Sequence, residues 1–200
     1  MNFLFDCDNI VFDWCLGFSN FMNEKHGKTV ITNPNDYGMS ESFETKEEFI
    51  AYVWEATGTP GFIENLPVLD ASVEYATALL KIHQHTPIFI SSILSFAKDT
   101  PDALRIDKER KTAIAKAVGV DDMERHFLFN NSMKMKVIER YRNCPQGFLG
   151  IAEDCPEIIE FCRSKDIKVF APARWNYLKD NPVPQYSSLA GLVSSLLSSE

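Results

Sequence analysis

The feature that most constrains the fold is a series of short apolar runs, each closed by polar residues and separated by helix-like stretches. The first runs from Asn2 to Phe5 and stops at two acids one residue apart, Asp6 and Asp8. Pro87-Ile88-Phe89-Ile90 ends in Ser91-Ser92, and Gly147-Phe148-Leu149-Gly150-Ile151-Ala152 ends in Glu153-Asp154. His126-Phe127-Leu128-Phe129 and Ile167-Lys168-Val169-Phe170 have the same form, with tips at Asn130-Asn131 and Ala171-Pro172. Runs this short and apolar read as strands buried on both faces of a sheet. Between them lie helix-like stretches at Ser72 to His83, Lys108 to Val118 and Pro156 to Ser164. Pro156 suits a first helical turn, where the N–H it lacks would have no partner within the helix. The alternation predicts an α/β chain, a Rossmann-like parallel sheet with helices on both faces. Ligands in such sheets gather beyond the carboxyl ends of the strands, where the polar tips fall.

Residues 15–69 break the alternation. Helix-like pieces at Leu16 to His26 and Lys46 to Thr57 are separated by turn-rich sequence, Asn33-Pro34-Asn35-Asp36 and Gly58-Thr59-Pro60-Gly61. They read as a small, mostly helical cap inserted after the first strand, with residues 1–14 and 70–200 forming the core domain. Ser187 to Glu200, apolar and serine-rich, reads as a docking helix.

The 200 residues, 45% of them hydrophobic, suit one domain with a modest insertion. The formal charge of −8 argues against a nucleic-acid polymer as partner, because backbone binding depends on many lysines and arginines. A small anion would need a local positive focus such as a metal ion, helix N-termini or a few lysines. Five cysteines without Cys-x-x-Cys spacing suggest neither a disulfide framework nor structural zinc. No basic leader precedes an apolar stretch, and no segment approaches the roughly 18 apolar residues of a membrane span. The expectation is a cytoplasmic chain with no membrane partner, and the sequence leaves a dimer open.

Asp6 and Asp8 at a strand tip share one turn but point in different directions, so one carboxylate can attack phosphorus while the other serves the leaving oxygen. Alone, such a pair is as well explained by a surface turn, a helix cap or a calcium loop. Two other strand tips supply what phosphoryl transfer also requires. Ser91 or Ser92 can donate to a phosphoryl oxygen, a lysine can offset its charge, and Asp154 can complete an oxygen shell for Mg²⁺. Ser91-Ser92 also fits a turn, and Glu153-Asp154 an N-cap pair.

The order Asp6-Cys7-Asp8, then Ile88-Phe89-Ile90-Ser91-Ser92, then a lysine, then Ile151-Ala152-Glu153-Asp154 resembles the four motifs of the haloacid dehalogenase (HAD) superfamily of phosphatases. The stretch Asp6 to Trp14 resembles its 5′(3′)-deoxyribonucleotidase branch, and the likeness extends loosely through Trp54 and Phe62-Ile63-Glu64-Asn65-Leu66-Pro67. The resemblance implies Asp6 as nucleophile and Asp8 as acid/base. It implies Mg²⁺ held by Asp6, the Asp8 main-chain carbonyl and Asp154, with Glu153 a ligand or just behind. Ser91 and Ser92 would contact phosphate, Lys111 would be the third-motif lysine with Lys108 competing, and Lys134, in the loop after Phe129, would be a second phosphate contact. Trp14 and Trp54 would wall the substrate, although both also fit packing between cap and core.

Two departures stand out. Ile93-Leu94-Ser95 follows Ser91-Ser92 where the nucleotidases tend to have a proline and a basic residue, and the fourth-motif acids are Glu-Asp. The leading expectation is a Mg²⁺-dependent phosphomonoesterase for a small phosphorylated substrate such as a (deoxy)nucleoside monophosphate. The alternatives are a phosphatase for a sugar phosphate or other small phosphoester, and a non-catalytic binding protein of the same fold.

Overall fold

The computed structural model describes residues 1–31, 33, 35, 37, 39, 42–92, 100–120, 124–128, 130–178 and 183–199. In chain order the elements are β1 (Asn2–Asp6), α1 (Trp14–His26), α2 (Lys46–Gly58), α3 (Val73–Ile82), β2 (Thr86–Ser92), α4 (Pro101–Val118), β3 (Glu124–Leu128), α5 (Asn131–Arg142), β4 (Phe148–Ala152), α6 (Pro156–Ser164), β5 (Val169–Pro172), β6 (Gln185–Tyr186) and α7 (Leu189–Leu197). The six strands form one sheet in the order β3-β2-β1-β4-β5-β6, with every pairing parallel. The α/β expectation holds.

β1 lies inside the sheet because its side chains bury on both faces. Phe3 and Phe5 pack with Val73, Leu80, Ile114 and Leu189 on one side, and Leu4 with Ile88, Ile151 and Ile158 on the other. The strand order reverses between β1 and β4, so the crevice of this sheet opens beyond their carboxyl ends. Asp6 closes β1, and Glu153 and Asp154 follow β4 directly.

Three boundaries differ from the sequence reading. α4 starts at Pro101 rather than Lys108, behind a Thr100 cap whose hydroxyl accepts from the Ala103 N–H at 3.3 Å. Charged residues at 105 and 107–111 obscure its apolar spacing. α5 was not expected, since Lys, Glu and Arg crowd its sequence, so Lys134 stands on a helix and not in a loop. Its cap is Asn130, whose side chain accepts from the Met133 N–H at 2.9 Å. Ser91 and Ser92 are the last residues of β2 itself. The expected features at Ile93-Leu94-Ser95 and at Pro34 and Asp36 lie outside the described residues.

α1 and α2 pack on each other, tied by His26 to Glu55 at 3.0 Å. The carboxyl end of α2 is held to α4: Arg105 donates to the carbonyls of Thr57 and Gly58, at 3.2 and 2.9 Å, and Glu109 accepts from the Gly61 N–H at 2.9 Å. The tail forms α7, which packs on α3, its first N–H bonded to Asp70 at 2.6 Å. Among the described residues no helix is long and apolar enough to cross a membrane.

The register of β4 against β1 shifts by one residue between the Asn2–Phe148 and Phe3–Gly150 pairs. Gly150 sits at the shift with φ 146°, and a Cβ there would come within 2.7 Å of the Phe170 ring and 3.0 Å of the Lys168 carbonyl. Neither the backbone angle nor the space admits a larger residue. Gly150→Ala is expected to lower stability by about 1–3 kcal/mol, read as a lower urea midpoint with an unchanged slope.

Candidate active site

The site begins with the turn that follows β1. The Cys7 N–H still bonds the Ile90 carbonyl at 3.1 Å, then the chain folds back as the Val11 and Phe12 N–H groups both donate to the Cys7 carbonyl, at 3.0 and 2.9 Å. Asn9 takes φ 57°, a left-handed conformation that Asn tolerates better than most residues. This turn places Asp6 and Asp8 on one cavity wall while Cys7, fully buried, points into the core.

Lys134 stands between the tips of β1 and β4. Its ammonium is 2.8 Å from Asp6 Oδ1 and 2.7 Å from Glu153 Oε2, and it is 2% exposed. Glu153 Oε1 accepts from the N–H groups of Asp154 and Cys155, which fixes the start of α6. The Tyr177 hydroxyl donates to Asp154 Oδ2 at 3.1 Å. On the other side Asp8 Oδ1 accepts from Arg110 Nη2 at 2.7 Å and Oδ2 from the Ser91 hydroxyl at 3.3 Å.

These groups open onto a cavity of about 280 Å³. Asp6, Asp8, Asp154, Lys134, Arg110 and Ser92 are among its polar lining, and Trp14, Phe49, Val53, Ile63 and Ile106 among its apolar lining. Several expected residues are therefore brought together, and others are not. Ser92 faces the cavity, but Ser91 is fully buried against Asp8 because neighbouring strand residues point to opposite faces. Trp14 is on the wall, stacked on Phe18 at 4.9 Å. Trp54 is 53% exposed and off the wall, since α2 turns Val53 and Thr57 inward instead.

Lys111 requires correction. It is exposed on the outer side of α4, in a shallow surface groove with Lys108, Thr112 and Lys116, so neither Lys111 nor Lys108 reaches the acids. The cation that α4 turns toward the site is the adjacent Arg110. A residue one position away on a helix is rotated by about 100°, which separates the two. Arg110 was missed because nothing in the motif order marks it; the signal was available only in the apolar spacing of Ile106, Ala113 and Ile114, which share the buried side of α4 with it.

No family model matches the sequence, and no curated protein matches it significantly. Solved structures do match over nearly the whole chain. A putative haloacid dehalogenase-like hydrolase from Bacteroides fragilis is similar with a TM-score of 0.59 and 14% identity, over 96% of this chain and 98% of that one. A D,D-heptose 1,7-bisphosphate phosphatase from Burkholderia thailandensis is similar at 0.55 and 11%, over 98% of both chains. The corresponding phosphatase from B. bronchiseptica, solved with magnesium and phosphate, is similar at 0.54 and 14%, over 100% of this chain and 99% of that one. The chain has the fold of the HAD-like hydrolases.

The donor set fits a hard divalent cation. Asp6, Glu153 and Asp154 each bring a carboxylate oxygen within 4.8 Å of the others, and all three are buried. Oxygen donors are what Mg²⁺ takes. Lys134 approaches Glu153 Oε2 as an ion pair without hydrogen-bond geometry, so that buried oxygen keeps an unused lone pair. Asp6 and Asp154 reach the cavity wall, with Glu153 behind them. Four carboxyl groups face two cations, Lys134 and Arg110, and two negative charges are left to be balanced.

The imbalance shows in the acids. Burial first, then the Asp6 charge, raises the Asp154 carboxyl from 3.8 to about 8. Burial and Glu153 likewise raise Asp6, with Lys134 only partly offsetting them. A carboxyl whose pKa is higher folded than unfolded holds more protons in the folded state across that window, so folding loses stability as pH rises through it. In chelator, the melting temperature is expected to fall from about pH 5 to about pH 8, and Asp154→Asn to flatten that decline. Thermal denaturation across pH checks both.

Proposed function

We propose that the protein is a Mg²⁺-dependent phosphomonoesterase with Asp6 as its nucleophile. The observation that supports this most is Asp6 at the end of β1, on the cavity wall, with its Oδ1 2.8 Å from the buried Lys134 ammonium and Asp154 alongside. A carboxylate so placed can attack phosphorus in line with the ester oxygen, forming an acyl phosphate on Asp6 as the alcohol departs. Asp8 lies two residues on, on the same wall, and serves the departing oxygen and then the attacking water.

Asp6 and Asp154 would hold Mg²⁺, with the Asp8 main-chain carbonyl and with Glu153 behind; the bound ion supplies charge neutralisation at the phosphoryl oxygens. Lys134 adds a fixed positive charge against the same oxygens. Burial opposes its charged form, but Asp6 and Glu153 outweigh that and keep it protonated. The Ser92 hydroxyl, on the cavity wall, donates to phosphate. Catalysis then rests on groups already in place before substrate arrives. Residues 15–69 act as a cap, since Phe49, Val53 and Thr57 of α2 complete the cavity and exclude bulk water.

The substrate is a small monoester with an apolar or aromatic body, and a (deoxy)nucleoside monophosphate meets that description with its base against Trp14. A sugar phosphate is the second reading, because the Burkholderia and B. bronchiseptica relatives in fold are named as heptose bisphosphate phosphatases. The apolar side chains of the lining favour the first: against Phe49, Val53, Ile63 and Ile106 a polyol would exchange water for groups that cannot hydrogen-bond its hydroxyls.

The test is phosphate release from a panel of nucleoside monophosphates, aryl phosphates and sugar phosphates, with Mg²⁺ and with chelator. Release is expected only with the metal and is expected to fall about 10³-fold or more in Asp6→Asn. Turnover that survives Asp6→Asn would remove the nucleophile, and silence across the panel would favour a binding protein. In Trp14→Ala, loss of stacking is expected to raise KM for aromatic substrates by about fivefold to a hundredfold, with little change for a sugar phosphate.

A further inference from the structure

Arg110 carries more hydrogen-bonding capacity than its surroundings use. It is 3% exposed, on α4, and its Cζ lies 5.4 Å from the Phe12 ring centroid, which holds the guanidinium plane in place. Nη2 donates to Asp8 Oδ1, yet Nε and Nη1 are buried with no hydrogen-bond partner. A buried charged group with unmet donors is costly, far more than a neutral one, and in native structures such groups call for an explanation. Asp8 does not supply it, because that ion pair uses one edge of the guanidinium only.

The position of the unmet donors bears on their use. Arg110 lines the cavity and pairs with Asp8, whereas Lys134 meets Asp6 and Glu153. The phosphoryl end of a substrate is drawn to Lys134 and the acid cluster, so its esterified group extends past Asp8 and meets Arg110 among Trp14, Phe49, Val53, Ile63 and Ile106. These five side chains offer one polar hydrogen, the Trp14 indole N–H, and Tyr37, Thr57, Asn9 and Asn131 add polar groups elsewhere in the lining.

We propose that Arg110 is a specificity-determining residue, which selects phosphomonoesters whose leaving group carries an uncharged oxygen acceptor, a carbonyl or carboxamide, on an otherwise apolar body. This rests on the phosphatase reading of the same site. The acceptor is uncharged because Asp8 already neutralises the guanidinium. A carboxylate there would bring a further anion beside Asp8, which already takes up the charge of the guanidinium. A carbonyl oxygen takes the free N–H groups without that repulsion.

Two matched pairs of probes test this. The esters are 3-carbamoylphenyl phosphate and 3-ethylphenyl phosphate, similar in shape, and 3-carboxyphenyl phosphate gives the charged arm. The non-hydrolysable pair is 3-carbamoylbenzylphosphonate and 3-ethylbenzylphosphonate, whose binding is measured by calorimetry with Mg²⁺ present. The wild-type chain is expected to favour the carbamoyl member of each pair by about tenfold or more, as for a hydrogen bond to a charged group. The carboxyl ester is expected to be the poorest of the three. In Arg110→Met the carbamoyl-to-ethyl ratio is expected to drop to about one, whatever happens to the absolute rate. Should that variant not fold, the wild-type phosphonate ratio still decides: a ratio near one overturns the proposal. A preference that persists in a folded Arg110→Met overturns it too, as does a carboxyl ester better than the carbamoyl one. Phosphate release without any carbamoyl preference would leave the phosphatase reading standing and remove Arg110. Carbamoyl preference in phosphonate binding, with no release from any ester, would do the reverse.

Discussion

The site depends on the placement of Lys134 between Asp6 and Glu153. Three buried acids meet there, and burial together with the neighbouring carboxylates raises the Asp6 and Asp154 carboxyls. The buried ammonium of Lys134 partly offsets that rise at both. Lys134 can stand there because Asn130 caps α5 beside the strand ends, and because β1 and β4 are neighbours at the point where the strand order reverses. The ion pairs are too deeply buried for salt to screen effectively. They are also weak evidence of stability for its own sake, since a buried pair rarely gains more than its desolvation costs. A chemical reason for such an arrangement is easier to give than a structural one.

α4 joins the remaining parts. Arg105 and Glu109 hold the carboxyl end of α2, and the next residue, Arg110, holds Asp8. Ile106 lies on the cavity wall between these contacts. The helix therefore links the segment that encloses the cavity to an acid at its floor. α2 and Asp8 are thus held by neighbouring residues of one helix.

Much of the fold was legible in the sequence because burial imposes a pattern. β1 and β4 are apolar at nearly every position, which only strands covered on both faces require, and their acidic ends stood out against that background. Pro156 announced α6 to the residue. The failures share a cause. α5 and the first turns of α4 are rich in Lys, Arg and Glu, so the apolar stripe that docks them is narrow and their periodicity is weak. The sequence pattern therefore reads Lys134 as a loop residue with a minor part, although its ammonium lies 2.8 Å from Asp6 Oδ1. Lys111 was favoured by its place in the order of motifs, but a helix presents adjacent residues in different directions, and no motif order carries that phase.

The same rotation decides between the two tryptophans. Trp14 begins α1 just past the turn that carries the acids, so it is carried to the cavity with them and packs on Phe18 behind. Trp54 follows Val53 by one residue on α2, and once Val53 faces the cavity Trp54 must look outward. An aromatic on a helix gains a part in the site only through its phase relative to residues already committed to the wall. The two arginine bonds at the end of α2 and its packing on α1 hold that phase in place.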